Sequence, residues 1–253
     1  MLYDVNSNAL WTDSYRGKKL SILGDSISTF VGYIPAGNAC YYYGNNCGVP
    51  TVNDTWWMKL INALGMVLEV NNSWSGSQVT TTWGTDSAGC MTRCQQLGED
   101  PDVIIVYMGI NDFNREVGLG TYKGEGAVPS VTTTFREAYA IMLDKMMTAY
   151  PDSEIWCATL PPCEHNGAKG APERNDNDVP LLQYNQAIQE IALLFGAKVL
   201  DHAQCGMTYE NMSIYTGDWD SGSEEGLHPN AAGMSLIANN DIRQIDDFCR
   251  VRY

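Results

Sequence analysis

The chain has 253 residues, 44% hydrophobic and 18% charged, enough apolar material for a sizeable core and too much for a globally disordered chain. Against 30 acidic residues stand 15 basic ones, and the resulting formal charge of −15 argues against nucleic acid or an anionic membrane surface as partner. No apolar run approaches the roughly 20 residues of a membrane span. Residues 1–20 lack the apolar stretch of a secretory leader, which points to the cytoplasm, or to secretion if a leader has been removed.

Strand-like apolar runs then alternate with helical patterns. Leu20–Leu23 reads as a first strand ending at Gly24. Trp56–Leu64 reads as a helix, with Asp54 or Thr55 as its N-cap, and Met66–Val70 as a second strand. Val103–Met108 is continuously apolar, the pattern of a strand covered on both faces. Thr134–Ala149 has helical periodicity and stops before Pro151; Ile155–Leu160 is a fourth strand. Leu181–Phe195 is a helix closed by Gly196, Lys198–Leu200 a short fifth strand, and Ala231–Phe248 a final helix with Pro229 near its first turn. The alternation predicts one α/β domain over 1–253, its core at about 18–250: a five-stranded parallel sheet between helices, a three-layer α/β/α sandwich.

In such sheets ligands bind at the carboxyl ends of strands. The first strand is followed by Gly24-Asp25-Ser26, the second by Asn71 to Ser77 with Gly76 inside it, the third by Gly109-Ile110-Asn111-Asp112. Glu225-Gly226-Leu227-His228-Pro229 precedes the last helix. A serine hydroxyl becomes a nucleophile when a base takes its proton, and an imidazole titrates near neutrality. Attack on an ester creates an oxyanion, which needs donors already in place. The candidates are the N–H groups of Ser26 and Gly76 and the Asn111 amide. Glu225, three residues before His228, is the candidate third member, with Glu224 and Asp220 as alternatives. Of the other two histidines, His165 sits in a polar loop and His202 is the rival base. Asp25 reads as a carboxylate that stabilises the turn, and Ser28 as a surface hydroxyl or one behind the site.

These four blocks resemble the SGNH hydrolase superfamily, the GDSL-type esterases and lipases, over nearly the whole chain. The resemblance implies a flavodoxin-like fold, Ser26 as nucleophile, His228 as base, and Ser26, Gly76 and Asn111 as the oxyanion hole. The family usually places Asp three residues before the histidine, where this chain has Glu225.

Eight cysteines are present; Cys90 and Cys94 lie four apart and would share a face on a helix. No second pair stands at ligand spacing, so no metal is expected, and no cofactor motif appears. The long segments 29–53 and 113–133 lie over the strand ends and are expected to shape the pocket. Trp74, Tyr41 and Tyr42 are the candidate substrate contacts, since aromatic faces suit sugar rings. The tryptophans that open the first helix, Trp56 and Trp57, are expected to put at least one ring in the core. The build resembles relatives that remove acetyl groups from carbohydrates. The expected function is a serine esterase acting on short acyl, chiefly acetyl, esters of a small molecule or saccharide. The alternatives are a general short-chain esterase or lysophospholipase-like lipase, and a non-catalytic carbohydrate-binding protein on the same fold.

Overall fold

A computed structural model describes residues 14–44, 46–163, 174–217 and 226–251, the last five by backbone alone. Five parallel strands form one sheet in the order β2-β1-β3-β4-β5: β1 Lys19–Gly24, β2 Val67–Ser73, β3 Val103–Tyr107, β4 Glu154–Ala158 and β5 Lys198–Leu200. Between and after them run α1 Trp56–Leu64, α2 Ile110–Asn114, α3 Phe135–Ala149, α4 Leu181–Leu194, α5 Met212–Tyr215 and α6 Ala231–Val251.

The strand order decides where helices go. From β1 the chain steps outward to β2, then crosses back over β1 to β3 and continues the other way. Because such crossovers are right-handed, this reversal places α1 on one face and α3 and α4 on the other. The helix contacts agree: α1 packs on α6, and α3 on α4. The sheet is therefore the middle of an α/β/α sandwich. Its reversal point, between β1 and β3, is where ligands bind in folds of this order.

The sequence patterns account for most element limits. In α1, Thr55 Oγ1 accepts the Met58 N–H, and Gly65 ends the helix at φ +66. Trp56 and Trp57 are both fully buried, as is every residue of β3. β2 runs three residues past its apolar part, through Asn71-Asn72-Ser73. Polarity hides the strand end in the sequence, but these side chains are satisfied inside the protein. Asn71 Nδ2 donates to Ser28 O at 2.8 Å and Asn72 Nδ2 to Gln96 O at 3.0 Å. Cys90 and Cys94 share no helix face, because residues 93–95 form only a short 3-10 turn. Both are buried free thiols. Among the described residues no helix is long and apolar enough to cross a membrane.

Candidate active site

The end of β1 is a crowded place. A Cβ on Gly24 would lie 2.6 Å from both Ser28 Cβ and Ser73 Oγ, so only glycine lets the chain turn there. Asp25 then caps the 3-10 turn of residues 26–28, its Oδ1 accepting the Ile27 N–H at 3.0 Å. Thr29 returns its N–H and its hydroxyl to Ser26 O, at 3.1 and 2.8 Å. Ser26 thus opens this turn; the serine is not the cap, Asp25 is. Ser28 is fully buried and accepts the Trp56 indole N–H at 3.2 Å, so it is no surface hydroxyl.

Behind the turn lies Arg93, which stands in no motif that would single it out. It is 2% exposed and donates to Gly24 O at 2.8 Å, Ser87 O at 2.6 Å and Asn72 O at 2.5 Å. It ties the carboxyl ends of β1 and β2 together. Burial pushes the Asp25 carboxyl up to about 7, with the Ile27 N–H and Arg93 opposing the rise. Burial lowers Arg93 to about 10, and Asp25 opposes that fall.

His228 comes from the loop before α6 and meets Ser26 across the whole chain. Its Nε2 lies 2.9 Å from Ser26 Oγ, with both residues under 8% exposed. The Tyr41 ring lies flat on the imidazole, centroids 3.6 Å apart and planes within 12°. Tyr42 meets it edge-on at 6.4 Å and donates from its hydroxyl to Pro229 O at 2.8 Å. The long segment 29–53 is therefore the wall that holds the histidine. A further tie between the two runs through Gly217, whose N–H donates to His228 O at 3.0 Å and whose carbonyl accepts from Cys47 Sγ at 2.6 Å.

This corrects the expectation for two tyrosines. Tyr42 has no exposed surface and cannot touch a substrate; Tyr41 is 8% exposed, with one face spent on His228. Both support the imidazole. Trp74 is half-buried near Gly76, and its N–H donates to Gly24 O at 3.1 Å. Glu225, the alternatives Glu224 and Asp220, and His165 lie outside the described residues. The rival base His202 is fully buried, bonded through Nε2 to Asp241 Oδ1 at 2.8 Å and edge-on to Tyr107. It belongs to the core between β3 and α6.

Gly76, from the loop after β2, and Asn111, from the start of α2, come together. Gly76 has φ +76, a left-handed turn suited to glycine. Asn111 sits in the first turn of α2, and its Nδ2 donates to Ser77 O at 3.0 Å. An amide has two N–H groups, so the same atom retains a donor for a ligand. Gln78 Nε2 returns a bond to Asn111 O at 3.1 Å. Asp112 is fully buried and accepts Val79 N–H at 2.8 Å, Thr80 N–H at 3.1 Å and the Thr80 hydroxyl at 2.8 Å. Burial lifts its carboxyl to about 6 against those donors. The N–H groups of Ser26 and Gly76 have no acceptor among the described residues. No cluster of three or more His, Cys, Asp or Glu side chains that could hold a metal ion occurs among the described residues.

The profile of the GDSL-like lipase/acylhydrolase family matches residues 18–167. A solved structure of a protein assigned as a GDSL-like lipase from Bacteroides ovatus ATCC 8483 is 30% identical. That likeness covers 92% of this chain and 98% of the other, with a TM-score of 0.68. A second, from Bacteroides uniformis ATCC 8492, is 28% identical over 91% and 96% of the two chains, TM-score 0.67. A family two carbohydrate esterase from Clostridium thermocellum is 16% identical over 91% of this chain and 63% of its own, TM-score 0.55, a likeness of fold alone. No curated protein matches the chain significantly. A family profile over more than half of the chain, and a full-length relative at 30% identity, place this α/β protein in the GDSL-like lipase/acylhydrolase family, as a carboxylic ester hydrolase of the SGNH hydrolase fold.

Proposed function

We propose that the protein is a serine esterase that removes short acyl groups, chiefly acetyl, from a carbohydrate, with Ser26 as nucleophile and His228 as base. The observation that carries this reading is the 2.9 Å contact between His228 Nε2 and Ser26 Oγ at the reversal point of the sheet. A non-catalytic carbohydrate-binding protein would have no need of that pairing.

The chemistry follows from the groups present. His228 Nε2 takes the Ser26 hydroxyl proton as Oγ bonds to the ester carbonyl carbon. The carbonyl π electrons move to oxygen, and the oxyanion is met by the N–H groups of Ser26 and Gly76 and by Asn111 Nδ2. As the tetrahedral centre collapses, the C–O bond to the alcohol breaks and the imidazolium gives the leaving oxygen its proton. Water, losing a proton to the same imidazole, then attacks the acyl carbonyl carbon; as this second tetrahedral centre collapses, its bond to Ser26 Oγ breaks, the imidazolium returns the proton to Oγ, and the carboxylic acid leaves. Glu225 is assigned the role of orienting the imidazole through its other nitrogen. No metal or cofactor enters these steps. The polar and aromatic side chains linked to the oxyanion loops, Gln78, Asn111, Arg115 and Trp83, suit a small acyl group on a sugar better than a long alkyl chain.

The test is hydrolysis of p-nitrophenyl acetate, butyrate and octanoate, followed by acetate release from acetylated oligosaccharides. Ser26→Ala should lose at least 10³-fold in kcat while retaining the fold. His228→Ala should lose more than Glu225→Gln. Retained turnover in Ser26→Ala would remove the nucleophile assignment, and efficient octanoate hydrolysis would shift the substrate to lipids.

A further inference from the structure

Both loops that bring the oxyanion donors end on one residue, Arg115. It directly follows α2, and its backbone N–H donates to Asn111 O at 3.2 Å. Its guanidinium reaches across to the other loop, where Nη1 donates to Gly76 O at 2.6 Å. A Cβ on Gly76 would lie 3.4 Å from Nη2, so the fork lies close against that glycine. On its other side the guanidinium lies over the Trp83 ring, 4.3 Å from the centroid. Trp83 is 69% exposed, too much surface to be explained by core packing. Among the described residues Arg115 forms no salt bridge, whereas Lys19, Lys59, Arg136, Arg174 and Lys198 each pair with a carboxylate.

We infer that Arg115 is a positioning residue for the oxyanion hole: it sets the spacing between the Gly76 N–H and the Asn111 amide, and Trp83 holds its guanidinium in place. This rests on the esterase reading above. Gly76, in a left-handed turn, has no side chain to limit its rotation; its N–H belongs to the peptide before it, and the bond to its carbonyl anchors the peptide after it, the pivot from which that N–H is aimed. Asn111 Nδ2 fixes the next carbonyl, that of Ser77. With the Ser77 carbonyl held from within α2 and the Gly76 carbonyl by the residue that follows it, the turn that aims the Gly76 N–H moves together with the Asn111 amide. Donors placed beforehand cost no reorganisation when charge develops, and an error of about 1 Å in such a site costs on the order of 100-fold in rate. A bond to arginine suits the task because the stacked planar fork loses little freedom when it binds.

The experiment compares wild type, Arg115→Met, Arg115→Lys and Trp83→Ala on p-nitrophenyl acetate, with affinity for methylboronic acid, which forms a tetrahedral adduct on a serine, measured alongside. Arg115→Met should lower kcat and kcat/KM together by on the order of 10- to 100-fold, with KM within about threefold. Boronate affinity should fall by a similar factor. Arg115→Lys, which can still reach the carbonyl and lie on the ring, should recover part of both losses, and Trp83→Ala should show a smaller loss of the same kind. A loss in Arg115→Met confined to KM, or unchanged boronate affinity, overturns the inference, as does a full wild-type rate. Should Arg115→Met fail to fold, Trp83→Ala and Arg115→Lys decide by the same two readouts. If the wild type lacks Ser26-dependent hydrolysis altogether, it is the esterase reading that fails.

Discussion

Asp25 stands next to Ser26, yet its chemistry is that of a cap. Its carboxyl accepts one backbone N–H through Oδ1, and its other oxygen is buried without a partner. With the folded value lifted by burial to about 7 from 3.8, the folded protein keeps a proton that the unfolded chain has already released across that interval. The state that binds more protons is favoured by acid, so this residue makes the protein less stable as pH rises from about 4 to about 7, and adds nothing further above that. Asp112, lifted to about 6, acts in the same direction over a narrower range. Asp25→Asn, which has no such proton to lose, should flatten this decline. Denaturant midpoints at pH 5 and pH 8 should converge in the variant relative to wild type. A wild-type difference that survives the substitution unchanged would place the titration elsewhere.

At the scale of elements, the turn after β1 depends on a small residue. The backbone of Gly24 needs no left-handed conformation; the limit is space, set by Ser28 and Ser73 at 2.6 Å from any added Cβ. Gly24→Ala should therefore cost roughly 1–3 kcal/mol, read as a lower denaturant midpoint, and should disturb Ser26 before it disturbs the rest of the sheet. An unchanged midpoint would show that the neighbouring serines yield freely. The same turn marks what a sequence can and cannot reveal. The limits of α1 are legible because Thr55 and Gly65 are local signals, read from the residues that flank the helix. The end of β2 is not, because Asn71, Asn72 and Ser73 are polar and only their buried partners make them strand. Ser26, Gly76 and Asn111 stand out because each occupies a recognisable block after a strand, and His228 because its block leads into the last helix. Arg93 and Arg115 do not, since both act on backbone carbonyls from distant loops, and a carbonyl is present at every position. Tyr41 and Tyr42 were legible as aromatic residues near the site, but not as its supports; that depended on how segment 29–53 folds back onto the His228 loop.

The molecule as a whole distributes its cysteines differently from a protein held by cross-links. The seven whose side chains are described are all free thiols, and of these only Cys40 is partly exposed. Burial pushes Cys90 and Cys157 up to about 12 and Cys94 and Cys205 up to about 11, so in the native state they hold almost no thiolate at neutral pH. A thiol reagent such as Ellman's should accordingly label Cys40 ahead of these four. Their labelling should follow the rate of global unfolding as denaturant is raised; rapid labelling of Cys157 in native buffer would contradict that. Unfolding brings these sulfurs back to an ordinary thiol in water, about 8.5, where each becomes reactive. The core that holds the sheet together is thus also a store of latent cross-linking chemistry. Each excursion to the unfolded state under oxidising conditions risks a disulfide that the native packing has no place for. Heated without reductant, the protein should decay along a one-way path, its half-life set by how often it opens and by the redox poise of its surroundings rather than by its folding free energy.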